Sequence, residues 1–215
     1  VMSGTGGLTI NGGTQILSGA NTYTGNTNVA SGAGLNLTGS IASTLSNAGT
    51  TNVNGGKVGG KTTNTGTLTA QNGTLAAIDN NAGQATLTNS TAGAVTNAQN
   101  ATFSATGGTL ASATNAGTMT LGTGNTVTGN VTNNGSLTLN GNTINGTLAA
   151  QSGNLTVTAS NSQAGSLSGA GNGTLNGGLT LTNASDTYSG VLSGQGGLTV
   201  NGGAQTLTGD NTYTG

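Results

Sequence analysis

Residues 115–139 read NAGTMTLGTGNTVTGNVTNNGSLTL, one short theme stated twice. Asn115-Ala-Gly opens the first statement and Asn133-Asn-Gly opens the second. Four positions after each anchor stands an apolar side chain, Met119 or Leu137, and six after it stands Leu121 or Leu139. Thr120 and Thr138 lie between them. Apolar, polar, apolar is the signature of a half-buried strand. Threonine, branched at Cβ, suits the outer face of such a strand.

The same theme recurs at Asn47-Ala-Gly, Asn64-Thr-Gly, Asn81-Ala-Gly, Asn97-Ala-Gln and Gln151-Ser-Gly, so seven anchors follow one another at a nearly constant interval. The sixth position after an anchor is always apolar: Val53, Ala70, Leu87, Phe103, Leu121, Leu139 and Val157. The fourth is apolar in six of seven, Thr51 being the exception. The fifth is Asn52 and then Thr69, Thr86, Thr102, Thr120, Thr138 and Thr156. Asn-x-Gly predicts a turn before each strand, because Gly tolerates positive φ and Asn bonds its own backbone. A looser apolar group (Val58, Leu75, Leu110, Val127, Ile144) fills each period, which is expected to hold about two strands and two turns.

Such a unit cannot bury its apolar face alone, but stacking one on the next does so and pairs each backbone with its neighbours. The fold expected is all-β: a right-handed parallel β-helix, or β-solenoid, of about a dozen coils of 17–18 residues, continuous from residue 1 to 215. With strands about 4.8 Å apart, its length would be roughly 60 Å. Stacked anchors predict an asparagine amide ladder along one edge. Thr69, Thr86, Thr102, Thr120, Thr138 and Thr156 predict a hydroxyl ladder on one face, the candidate binding surface. A helical reading fails, because Gly, Thr and Asn form helices poorly and no 3.6-residue period is present.

Gly, Thr and Asn make up 117 of the 215 residues. The five charges are Lys57, Lys61, Asp79, Asp186 and Asp210, for a net charge of −1, and this gives no electrostatic footprint for nucleic acid or anionic lipid. The longest apolar run, Leu75–Ile78, is far short of a membrane span, so the segment is not expected to insert directly into a membrane. Zero cysteines and zero histidines remove disulfides and most metal sites, and no cofactor is expected. Zero prolines fit a chain made mostly of inner strand. Val1-Met2 does not read as a natural start, and the chain is expected to be part of something longer.

One longer sentence also returns. Gly7–Gly25 reads GLTINGGTQILSGANTYTG and Gly197–Gly215 reads GLTVNGGAQTLTGDNTYTG, identical at fourteen of nineteen positions across an offset of 190. With its flanks, from Ser3 to Leu37, the first copy resembles the passenger-associated transport repeat of bacterial autotransporters. The resemblance rests on Gly7, Leu8 and Thr9, on the run Leu17–Gly25, and on Thr27 and Val29. Where that repeat usually carries Lys after Gly-Leu-Thr, this chain has Ile10 or Val200. Residues 188–215 resemble the segment leading into a second repeat and its beginning; residues 39–177 carry only generic solenoid patterning, similar to filamentous-haemagglutinin-type exoproteins. The resemblance implies a β-helical adhesin passenger exported through the outer membrane to a Gram-negative cell surface, in a biofilm or virulence setting. Lack of cysteine fits that route, since no disulfide can lock the chain before export.

Groups with chemistry are sparse. Asp186 and Asp210 are separated by little more than one period, close enough for neighbouring coils to approach, but the first copy of the repeat has Ala20 where the second has Asp210. They read as turn carboxylates, as does Asp79, rather than as an acid–base pair. Lys57 and Lys61 in GGKVGGKTTN lack the glycine spacing and the helix of a phosphate-binding loop. Tyr23, Tyr188 and Tyr213 read as edge-covering residues with wet hydroxyls more readily than as a sugar platform.

The expected role is therefore structural and adhesive, not enzymatic. It is that of a stalk segment with export-assisting repeats, associating with copies of itself, laterally or end to end, or with ligands on host or bacterial surfaces. The alternatives are an ice-binding β-solenoid, suggested by Thr67-Leu-Thr, Thr118-Met-Thr and Thr180-Leu-Thr, and a polysaccharide-active β-helix enzyme.

Overall fold

The computed structural model describes all 215 residues, which form strands, turns and no helix. Strands pair in parallel with strands about one period away, as expected of a β-solenoid. About eleven coils are present rather than a dozen. The chain divides into two compact units, Val1–Phe103 and Ser104–Gly215.

In the first unit the coils carry three strands instead of two, except where Thr91–Asn97 runs unbroken through two of the three positions. One set is Thr14–Leu17, Gly34–Leu37, Thr50–Asn54, Thr67–Gln71 and Gln84–Thr88. Its register puts Thr67 beside Thr50 and Gln84, so Leu68 lies between Thr51 and Ala85, and Ala70 between Val53 and Leu87. A second, shorter set is Ala20–Asn21, Ser40–Ile41, Lys57–Val58 and Thr74–Leu75. The third is Leu8–Ile10, Thr27–Val29, Leu45–Asn47, Thr62–Asn64 and Ile78–Asn80.

This third set refines the reading of the anchors. Asn47 and Asn64 each end a strand just before the expected bend, and Asn64 bonds that bend at Gly66 O, but their side chains and that of Asn80 are buried rather than at the surface. Left-handed residues stand in two corners: Gly13, Gly32 and Gly83 before the first set of strands, at φ 64°, 79° and 69°, and Gly55, Asn72 and Asn89 just after it, at φ 67°, 52° and 47°. Glycine and asparagine interchange there because both tolerate that region. The glycine of Asn-x-Gly has positive φ at Gly83 and answers a second demand as well. A Cβ on Gly66 would lie 2.2 Å from the Gly49 carbonyl oxygen, so close approach between coils excludes a side chain.

The second unit repeats the plan with Thr118–Leu121, Ser136–Leu139, Asn154–Val157, Gly173–Leu175 and Leu192–Ser193 in one sheet. Longer strands such as Thr143–Ala150 and Ser162–Ser168 run through what are two short strands elsewhere. Thr187–Tyr188 and Thr206–Leu207 form a separate two-stranded sheet.

Three anchor positions differ from expectation. Asn80, not Asn81, pairs with Asn64 and with Asn97. Ala150, not Gln151, stands beside Asn133, and Gln151 is exposed. After Asn97 the turn Ala98–Ala101 is longer by two than its counterpart after Asn64, with Asn100 at φ 68°. The strand that follows is displaced accordingly. Thr102 N–H donates to Gly83 O as Gln84 N–H donates to Gly66 O, so Thr102 shares the column of Gln84 and Thr67, not that of Thr86. A shift of two leaves inward and outward positions unchanged, which is why alternation did not reveal it.

Leucine, valine and alanine fill both interiors, and Phe103 and Leu121 are fully buried. Truncating a side chain such as Leu68 or Leu137 to alanine costs about 2–5 kcal/mol, from lost transfer energy and the cavity left behind.

Candidate functional site

Two polar arrays run across the coils, one inside and one outside. Inside the first unit, Asn47 Nδ2 donates to Asn64 Oδ1 at 2.7 Å, Asn64 Nδ2 to Asn80 Oδ1 at 2.8 Å, and Asn80 Nδ2 to Asn97 Oδ1 at 2.8 Å. Inside the second, Asn115 Nδ2 donates to Asn133 Oδ1 at 2.8 Å. The same amides donate to backbone carbonyls, for example Asn47 to Thr67 O at 2.9 Å and Asn133 to Asn154 O at 3.0 Å. The ladder foreseen on an edge is thus buried, where an unpaired amide would be costly and a paired one fixes register.

The ladder ends without leaving a polar atom stranded. Val29 stands beside Asn47 on its N-terminal side and offers no donor. Thr51 supplies one instead, its Oγ1 donating to Asn47 Oδ1 at 2.9 Å. Thr51, the single break in the apolar fourth position, is therefore the cap of the ladder. Sequence reasoning registered the exception and missed its role; the signal was its coincidence with the first anchor of the series. In the second unit Ala150 succeeds Asn133, whose Nδ2 is occupied by Gly135 O at 3.1 Å and by Asn154 O.

Outside, the structure places five of the six candidate threonines in the expected column, all half-buried. Thr69 pairs with Thr86 in the first unit, and Thr120 with Thr138 and Thr138 with Thr156 in the second. Thr174 extends the second series, which the anchor count did not reach. Thr102 is exposed in the adjacent column, and Ser104 takes the place it was assigned. The Gly122 N–H donated to Ala105 O at 2.8 Å sets Ala105 beside Leu121 and hence Ser104 beside Thr120. Asn36 and Asn52 continue the column toward the N-terminus, with Asn52 Nδ2 donating to Asn36 Oδ1 at 3.0 Å.

Lys61 Nζ meets Asp79 Oδ2 at 2.6 Å, so Asp79 is a strand residue in an exposed ion pair between successive coils rather than a turn carboxylate. An open trench nearby is lined by the column Thr9, Asn28, Ser46 and Thr63. Asp186 accepts from Thr147 Oγ1 at 3.2 Å, and its N–H donates to Ser166 Oγ at 3.1 Å.

Two tyrosines differ from the expected wet-hydroxyl role. Tyr23 OH is hydrogen-bonded to Thr27 Oγ1 at 2.6 Å, and Thr27 Oγ1 to Ser43 Oγ at 3.0 Å, in a buried chain of hydroxyls. Tyr188 is fully buried and donates to Gly171 O; burial pushes its phenol up to about 12. Neither ring offers a face to a sugar.

Comparison with family models, with curated proteins and with solved structures returns no match to this chain.

Proposed function

We propose that this chain is an extracellular β-helical segment of a Gram-negative autotransporter passenger. It serves as a structural stalk whose motifs at residues 3–37 and 188–215 assist export, and it carries a self-association surface. The family assignment rests on the resemblance of those motifs to the transport repeat. The surface assignment rests on one observation: threonine hydroxyls recur once per coil at Thr69 and Thr86, and again at Thr120, Thr138 and Thr156, on a chain of net charge −1. Near-zero charge removes repulsion between copies, and many weak hydrogen bonds act together. Cells displaying the segment should settle faster than cells without it, and Thr138→Lys with Thr156→Lys should abolish the difference. Equal settling of displaying and bare cells leaves the stalk role alone.

One observation favours a second reading, ice binding. With Thr102 moved into its neighbouring column, Thr50, Thr67, Gln84 and Thr102 run beside Asn52, Thr69 and Thr86, a more regular double array than the anchor spacing suggested. A freezing-point gap below the melting point in a solution of the chain would support this reading, and ordinary freezing would remove it.

A further inference from the structure

The thirty asparagines are not chemically equivalent. Those of the ladder are buried, their amides held by neighbours, and none precedes glycine. Nine others do precede glycine, and all nine are exposed. In an Asn-Gly pair no Cβ shields the following amide nitrogen, which can attack the side-chain Cγ. A carbon–nitrogen bond then forms, the bond from Cγ to Nδ2 breaks, and ammonia leaves. Water opens the resulting cyclic imide at either carbonyl, to aspartate or to isoaspartate. The attack requires the intervening peptide plane to turn, and a hydrogen bond from the glycine N–H resists that turn.

Six of the nine glycines are held in this way. Gly55 donates to Gln71 O at 2.8 Å, Gly146 to Gly129 O at 3.2 Å, Gly173 to Val191 O at 2.8 Å and Gly177 to Val157 O at 2.9 Å. Gly73 donates to Ser90 Oγ at 3.0 Å and Gly141 to Ser162 Oγ at 3.1 Å. Gly12, Gly135 and Gly202 donate to nothing. We propose that Asn11, Asn134 and Asn201 are self-modification sites, converting to aspartyl and isoaspartyl residues in the folded chain while the other asparagines are spared.

Asn11 and Asn201 are the same position in the two copies of the long repeat, so the trait belongs to that motif. Complete conversion takes the net charge from −1 to −4. Isoaspartate at Asn134 also adds a backbone carbon next to Asn133, the last amide of the ladder.

The test is incubation of the whole folded chain in mildly alkaline buffer, followed by peptide mass mapping, isoaspartate labelling and ammonia assay. Each of the three sites should convert about tenfold faster than any of the six held ones, the rate factor for one backbone hydrogen bond. In denaturant the nine rates should converge. Asn134→Gln should remove the signal at that position and leave Asn11 and Asn201 unchanged. Equal rates at all nine in the folded chain, faster conversion at a held site, or no conversion at the three while the denatured chain reacts would each overturn the proposal.

Discussion

Gly7–Gly25 and Gly197–Gly215 share most of their residues, and the structure gives them different surroundings. In the first copy Ile10, Leu17 and Tyr23 are buried, with Tyr23 at 3 % exposure. In the second, Val200 is 43 % exposed, and Leu207 and Tyr213 are only half-buried. Strands of the first copy pair with Gly34–Leu37 and Thr27–Val29, which lie over its apolar side chains. Burial in a solenoid is therefore a property of the neighbouring coil as much as of the residue, which is the nearest-neighbour behaviour expected of repeat architectures.

The difference should be measurable as stability. Tyr23→Ala should cost about 3–5 kcal/mol in chemical denaturation, since it leaves a cavity and removes one of the two partners of the Thr27 hydroxyl, whereas Tyr213→Ala should cost less than about 1 kcal/mol. Equal costs would mean that the neighbouring coil does not set the contribution. Ile10→Ala should cost about 2–4 kcal/mol and Val200→Ala about 0.5 kcal/mol or less, so their ratio sharpens the contrast with smaller side chains.

A cap is a lesser form of cover. Thr51→Val leaves Asn47 Oδ1 buried without its donor and should cost about 1–3 kcal/mol, while Thr67→Val, on an exposed position, should be near neutral. Thermal melts of the two variants would separate these outcomes.

The smallest effect is in pH. Tyr188 is held neutral in the fold up to about 12, above the usual phenol value of 10. Its contribution is thus complete below about pH 10 and lost as pH rises through the folded value. Tyr188→Phe should flatten that alkaline decline, and ultraviolet titration of the phenols should show one late component missing in the variant.

Much of this architecture was legible in the amino-acid order. Alternation at Leu68-Thr-Ala and Leu137-Thr-Leu identified strands, and the steady return of the anchors, Asn47 to Asn64 and Asn115 to Asn133, identified stacking. Alternation has a period of two, however, so it cannot distinguish a strand from the same strand moved along by two. The long turn after Asn97 produces that displacement, and Thr102 was misplaced for that reason. Asparagine is legible as a turn former, and Asn64 and Asn133 do bond their own turns at Gly66 O and Gly135 O; its burial is not legible, because a buried amide needs amide or backbone partners on its neighbours. That condition involves several coils at once and is invisible within any one of them. The candidate face was legible in the same degree: composition and spacing identify a threonine column, while its partners depend on the turns between strands.

Within each unit the ladder amides donate in one sense, Asn47, Asn64 and Asn80 in the first and Asn115 in the second each to the next asparagine toward the C-terminus. The small dipoles therefore point one way and add; in the first unit a lone pair faces Thr51 at the start, and in the second N–H bonds face backbone oxygen at the finish. Such a column has a direction, as a stack of magnets has. A coil laid upon it upside down would bring proton against proton, so the interior rejects reversed neighbours before any side chain on the surface is consulted.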